Sequence, residues 1–149
     1  MNLYVESSAL LAWLLREPKG PAIETLIDDA ENIVTSDLTL VECDRAFQRE
    51  VALGRMTQAT ARGLSTDLAN EASGWIILRL APSIVARARQ AFPGEPIRSL
   101  DALHVASALE AKAQFYDVAL LSLDDRVRRV GYSLGFSLQP DNLAGAFNE

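Results

Sequence analysis

Four acidic residues spread along the chain, Glu6, Glu42, Asp101 and Asp124, have the chemistry to hold a hard divalent cation. Each stands just past an apolar, strand-like run or on a helix-like segment that adjoins one. Mg²⁺ and Mn²⁺ take oxygen ligands, chiefly carboxylates and water. One or two such ions suit phosphodiester hydrolysis, because they activate water and offset charge in the transition state. A metal-dependent nuclease is the reading these residues favour. Taken singly, each acid has a plainer explanation. Glu6 and Asp101 stand where a helix dipole welcomes an acid. Glu42 could form a surface ion pair with Arg45 or Arg49, and either Asp124 or Asp125 could cap a helix. Their joint placement carries the argument.

Other chemistries find less support. His104 is the single histidine, set among Leu, Ala and Val, and is expected to be a hydrogen-bonded core residue rather than a base. Cys43 is the single cysteine; it excludes an internal disulfide and, within an apolar helix, is expected to be inert. A nucleophile–histidine relay is therefore disfavoured. Neither GxxxxGK[ST] nor GxGxxG occurs, so a glycine-loop nucleotide site has no basis. An aspartyl-nucleophile phosphatase would need Asp-x-Asp after the first strand, where Glu6-Ser7-Ser8 stands instead.

The elements that must position these acids follow from periodicity and punctuation. Leu3–Val5, Ile33–Thr35, Trp75–Leu78 and Val118–Leu121 read as short strands, with a last one expected at Phe136–Leu138. Helices are expected from a Ser7/Ser8 N-cap to Leu15, from Pro21 to Ala30, from a Ser36 or Asp37 cap to Leu53, and from Thr57 to Ala72. Three more run from Pro82 to Phe92, from a Ser99 cap to Ala113, and from Asp124 or Asp125 to Leu134. The tail from Pro140 is expected to be loosely held. Strands alternating with helices predict an α/β domain with a mostly parallel sheet. Ligands of such sheets bind beyond the carboxyl ends of the strands, which is where Glu6 and Asp124 belong.

With 149 residues, 49% hydrophobic and 23% charged, the chain suits one globular domain with a real core. The apolar run Ser8–Leu15, closed by Arg16 and Glu17, is too short to span a membrane and lacks a basic start. Cysteine usage points to a reducing, cytoplasmic setting. A net charge of −6 argues against strong unaided binding of nucleic acid. It suits a cluster of acids that awaits a cation, with a local basic patch or a basic partner helping any RNA to bind.

Taken together, these segments resemble the PIN-domain ribonucleases, most closely VapC-type toxins. Leu3-Tyr-Val-Glu-Ser-Ser-Ala-Leu-Leu11 followed by Arg16-Glu-Pro18 is similar to the family's opening strand, acid, serine pair and helix. Ser36-Asp-Leu-Thr-Leu-Val-Glu42 resembles the segment with the second acid. Arg98-Ser-Leu-Asp-Ala-Leu-His-Val-Ala106 is the most specific match, with Asp101 as the third acid. Leu121-Ser-Leu-Asp-Asp-Arg-Val127 resembles the last motif, with Ser122 in a usual Thr/Ser place and Asp124 as the fourth acid. The resemblance implies a three-layer α/β/α sandwich over residues 1–149 and Mg²⁺- or Mn²⁺-dependent endonucleolytic cleavage of RNA. It also implies a homodimer and a small antitoxin that reaches the active site.

On that reading Glu6, Asp101 and Asp124 ligate the metal, and Glu42 ligates or orients a water. Ser122 or Ser7 hydrogen-bonds a ligand carboxylate or a metal-bound water. Arg98, Arg126, Arg128 and Arg129 are candidates for steering the RNA backbone. One departure stands out: the family's first acid is Asp, and Glu6 carries its carboxylate about 1.5 Å further out, one C–C bond. A catalytically weakened PIN-fold binding module is the alternative that this departure raises.

Overall fold

The computed structural model describes residues 1–141. Five strands, β1 (Asn2–Val5), β2 (Asn32–Ser36), β3 (Ile76–Leu78), β4 (Val118–Leu121) and β5 (Leu138–Gln139), form one sheet in the order β3-β2-β1-β4-β5. All four pairings are parallel. The helices are α1 (Ser7–Leu14), α2 (Gly20–Asp28), α3 (Asp37–Ala52), α4 (Gln58–Ala72), α5 (Pro82–Ala88), α6 (Ser99–Gln114) and α7 (Asp125–Ser133).

Side chains alternate across a strand, and β1 distributes its residues accordingly. Leu3 and Val5 join a core with Leu10, Ile23, Phe47 and Leu68 of helices α1 to α4. Tyr4, paired with Val34 and Leu120, joins the opposite core with Ile84, Val105, Val127 and Val130 of α5 to α7. The sheet is thus covered on both faces, the α/β/α sandwich expected. β4 is buried at all four residues, which is why its sequence is apolar without alternation. Fully burying each Leu, Val or Phe contributes about 1.5–3 kcal/mol.

Two glycines permit close approach. A Cβ on Gly20 would lie 2.7 Å from the Ala12 carbonyl oxygen, so only glycine lets α2 begin against α1. One on Gly131 would meet the Leu120 side chain at 2.4 Å, where α7 packs on β4.

Some boundaries differ from the sequence reading. The helix expected to reach Phe92 ends at Ala88; Phe92 is buried all the same, with its amide held by Glu95 Oε1 at 3.0 Å and Arg87 over its ring. The last strand is Leu138–Gln139, because Phe136 turns into the core beneath Lys112 instead of pairing. Pro140, expected to open a loose tail, is buried; the rest of that tail, beyond residue 141, lies outside the described residues. Among the described residues no helix is long and apolar enough to cross a membrane.

From β1 the chain steps outward to β2 and β3, then crosses to the other side of β1 for β4 and β5. The neighbours β1 and β4 therefore flank the point where strand order reverses, the place where open α/β sheets bind ligands.

Candidate active site

Glu6 is the first residue past β1, and its amide extends the ladder by donating to the Leu121 carbonyl at 3.0 Å. Its side chain is buried. The expected helix-capping serines do something else: Glu6 itself occupies the N-cap position of α1, and the hydroxyls serve its carboxylate. Ser7 Oγ donates to Oε1 at 2.8 Å, while Ser8 Oγ and, at 2.7 Å, Ser122 Oγ donate to Oε2. Ser122 lies directly after β4, so the two strand ends are stitched together through this carboxylate. Ser8 Oγ also accepts the Leu123 amide at 2.9 Å, and Ser122 Oγ accepts that of Asp124 at 3.1 Å.

Helix α6 delivers the next groups. Asp101 and His104 are three residues apart and share a face. His104 is buried, and its Nε2 hydrogen-bonds Glu42 of α3 and stands 3.9 Å from Glu6 Oε1. Burial alone would lower the imidazole pKa. The hydrogen bond to Glu42 and the charges of Glu6, Glu42 and Asp101 outweigh it, so the pKa is raised. The ring bridges two carboxylates, hydrogen-bonded to Glu42 and 3.9 Å from Glu6. Glu42 is thus partnered by His104, not by Arg45 or Arg49.

Asp101 is held above the usual carboxylate range, first by burial, then by Asp124 and Glu6; His104 and Arg126 oppose the shift. Asp124 and Glu6 therefore both act electrostatically on Asp101 although 118 residues separate them in the chain (124 − 6). Asp124 does cap α7: Oδ1 accepts the amides of Arg126 at 2.9 Å and Val127 at 3.0 Å. The cap and the candidate ligand are the same residue, held by one oxygen while the carboxylate borders the cleft.

Glu42, Asp101, Asp124 and Asp125 line a cleft of about 670 Å³, with Arg98 and Arg126 also in its wall. Both arginines are exposed, as steering groups must be. Glu6, buried, is not part of the lining. Arg128, grouped with them in the sequence reading, is buried and donates only to backbone carbonyls, so it cannot touch RNA in this structure. Cys43 is buried as well, and burial followed by the charges of Glu6, Asp44 and Glu42 pushes its thiol pKa up, which keeps it out of nucleophilic chemistry.

Among the described residues no three His, Cys, Asp or Glu side chains form a ready-made metal-ligand set. The donor chemistry nevertheless fits a hydrated hard cation. Mg²⁺ keeps several waters and is commonly bound through one or two carboxylates plus substrate phosphates, and Asp101 and Asp124 face the cleft as such a pair. Burial first, and then the neighbouring charges of Asp124 and Glu6, raise the pKa of Asp101, and a bound cation would favour its ionised form.

Two groups at this site escaped the sequence reading of function. His104 stands one helical turn after Asp101, and that spacing was the available signal. Ser8 gave none beyond its place next to Glu6, because its other partners, Ser122 and Leu123, lie far away along the chain.

A family model described as PIN domain matches residues 3–132. The chain belongs to the PIN-domain family. Ribonuclease VapC35 of Mycobacterium tuberculosis is 27% identical over 142 residues, covering 91% of this chain and 94% of that protein. Among solved structures, VapBC2 of Rickettsia felis, bound to a DNA fragment from its promoter, superposes with a TM-score of 0.62 at 13% identity, covering 93% of this chain and 98% of that one. VapC20 of Mycobacterium tuberculosis, described as a toxin that cleaves the sarcin–ricin loop, gives 0.60 at 13% identity, covering 90% and 95%. At these identities the solved structures establish that the PIN fold is shared.

Proposed function

We propose that this PIN-domain chain is a VapC-type endoribonuclease, the toxin of a toxin–antitoxin pair, acting in the cytoplasm on RNA with Mg²⁺ or Mn²⁺. The observation that carries the proposal is the convergence of Glu6, Glu42, Asp101 and Asp124 at the carboxyl ends of β1 and β4, with Arg98 and Arg126 beside them. The likeness to a ribonuclease along most of both chains supports the reaction class. The VapBC complex among the structural relatives supports a cognate antitoxin. Val41 and Leu53, more than half exposed on and just after α3, suit a homodimer contact.

Asp101 and Asp124 would hold the cation, which supplies Lewis acidity: it makes water a better nucleophile and offsets charge on the phosphate. The chain's own groups do the rest. Arg98 and Arg126 attract the phosphate backbone into the cleft. Glu42, fixed by His104, orients the attacking water and can take its proton. Glu6, anchored by hydroxyls of Ser7, Ser8 and Ser122, supplies negative charge behind Asp101 and fixes His104. Ser122 aligns the turn that presents Asp124. No protein nucleophile takes part.

A second reading, a PIN-fold binding module with weakened catalysis, draws on one observation. The longer Glu6 side chain has both oxygens engaged by hydroxyls. Calorimetric titration with Mn²⁺ separates the two. Saturable binding that is lost in Asp101→Asn supports the nuclease; no binding at millimolar metal supports the module.

A further inference from the structure

Arg128 is among the largest fully buried side chains of the protein, with a relative exposure of 1%. Buried arginines usually pair with carboxylates, because an unpaired charge inside a protein is costly. Among the described residues Arg128 forms no ion pair. Its guanidinium donates to carbonyls instead: Nη1 to Ser122 and Gln139, and Nη2 to Pro140, each at 2.9 Å. Nε has no partner among the described residues.

Those carbonyls are not a random set. Ser122 is the residue whose hydroxyl holds Glu6 and receives the Asp124 amide. Its own amide donates at 3.2 Å to the Gln139 carbonyl, the same oxygen that Arg128 grips. Ser122 is thereby fixed on both sides of its Cα, by β5 and by the guanidinium. β5 has two residues at a sheet edge, too short to hold a turn by ladder bonds alone. Arg128 sits one helical turn after Asp124, whose carbonyl accepts its amide at 2.9 Å, so one residue braces the Ser122–Asp124 turn from within α7.

We propose that Arg128 is a positioning residue: its guanidinium locks the Ser122 backbone to the β5 end, and through Ser122 sets the Glu6 carboxylate and Asp124. The kinetic consequence rests on the nuclease reading above; the structural one does not. A planar fork suits this task better than an ammonium, since it reaches carbonyls on separate segments in fixed directions.

The test uses the full chain and the variants Arg128→Met, Arg128→Lys, Ser122→Ala and Arg128→Met/Ser122→Ala, each checked for native circular dichroism. With a short fluorogenic RNA and Mn²⁺, Arg128→Met is expected to lower kcat by about 10- to 100-fold, as loss of a group supporting a metal ligand does, with KM within about twofold. Arg128→Lys falls between it and the parent. The double variant is expected to be no worse than the poorer single one within about threefold, because both changes release the same turn.

In parallel, amide exchange at Leu123 and Asp124 is expected to quicken by about tenfold or more in Arg128→Met while Leu3 and Val34 stay protected, a local rather than global loosening. Fully multiplicative kcat losses, or exchange at Leu123 and Asp124 that stays at the parent rate, would overturn the proposal. If Arg128→Met does not fold, Arg128→Lys is read by the same criteria, and outright unfolding of both assigns the residue to stability alone and also overturns it. A parent protein that cleaves no RNA defeats the nuclease reading, and the exchange data then decide the role of Arg128.

Discussion

Removing a single oxygen, by Ser122→Ala, probes the stitch between the two central strand ends. The hydroxyl is fully buried, donates to Glu6 Oε2 at 2.7 Å and accepts the Asp124 amide at 3.1 Å. A hydrogen bond to a charged group contributes about 1.5–3 kcal/mol, and a backbone amide left without its acceptor costs about 1–3 kcal/mol. Local relaxation recovers part of this, so the net loss is about 2–4 kcal/mol. At about 2–4 °C per kcal/mol for a chain of this size, Tm falls by roughly 4–16 °C. Differential scanning calorimetry reads that directly. Cleavage falls too, by about 10- to 100-fold at a temperature where the variant is folded. Ser122→Thr keeps the donor, and should hold activity near the parent while its extra methyl costs about 1 kcal/mol of stability. A Ser122→Ala protein that melts within a degree of the parent would refute the reasoning, because Glu6 would then not depend on that hydroxyl.

Further predictions concern packing and charge. Gly20→Ala drives a Cβ to 2.7 Å from the Ala12 carbonyl oxygen and 3.3 Å from Trp13 Cα. Overpacking of about 1–3 kcal/mol exceeds any helix-propensity gain of up to about 1 kcal/mol, so Tm should drop by several degrees; an unchanged or higher Tm would contradict the close approach. Asp101 has a folded-state pKa above its ordinary 3.8, so folding favours its protonated form. Its ionisation costs stability at neutral pH, and that cost vanishes as pH falls below 3.8. Asp101→Asn should accordingly melt above the parent at pH 7 and match it in acid; a lower Tm at pH 7 would refute the assigned crowding. His104 behaves oppositely. Its folded pKa lies above 6.5, so its contribution is fully present below pH 6.5 and lost as pH rises through the folded value. The parent should lose stability as pH rises from 6.5 through that folded value and His104→Gln should not, as followed by Tm against pH.

The layered sandwich was legible because its signals are local. Apolar runs such as Val118–Leu121, and breakers such as Gly54 and Gly135, report on neighbours in sequence. The acids were legible by residue type and by placement near strand ends. What escaped depends on contacts that no local pattern encodes. Ser8 looks like a helix cap, yet besides Glu6 it meets Ser122, 114 residues on. Arg128 sits between Arg126 and Arg129, and one helical step of about 100° separates a side chain in solvent from one under the candidate site. His104 reads as a core residue and is one; that its buried nitrogen meets Glu42 and Glu6 follows only from α3 packing beside α6. The end of α5 was misplaced because Phe92 keeps the apolar spacing of a helix while reaching the core from a turn.

The account turns on one anionic site acting on RNA through a bound cation. The most direct measurement is RNA cleavage by the purified chain with Mg²⁺ or Mn²⁺, with excess chelator, and by Asp101→Asn at equal folded concentration. The account predicts cleavage that needs added metal, stops with chelator and falls by about 10²–10³-fold in Asp101→Asn. Cleavage that persists at the parent rate in Asp101→Asn, or that ignores chelator, would contradict it.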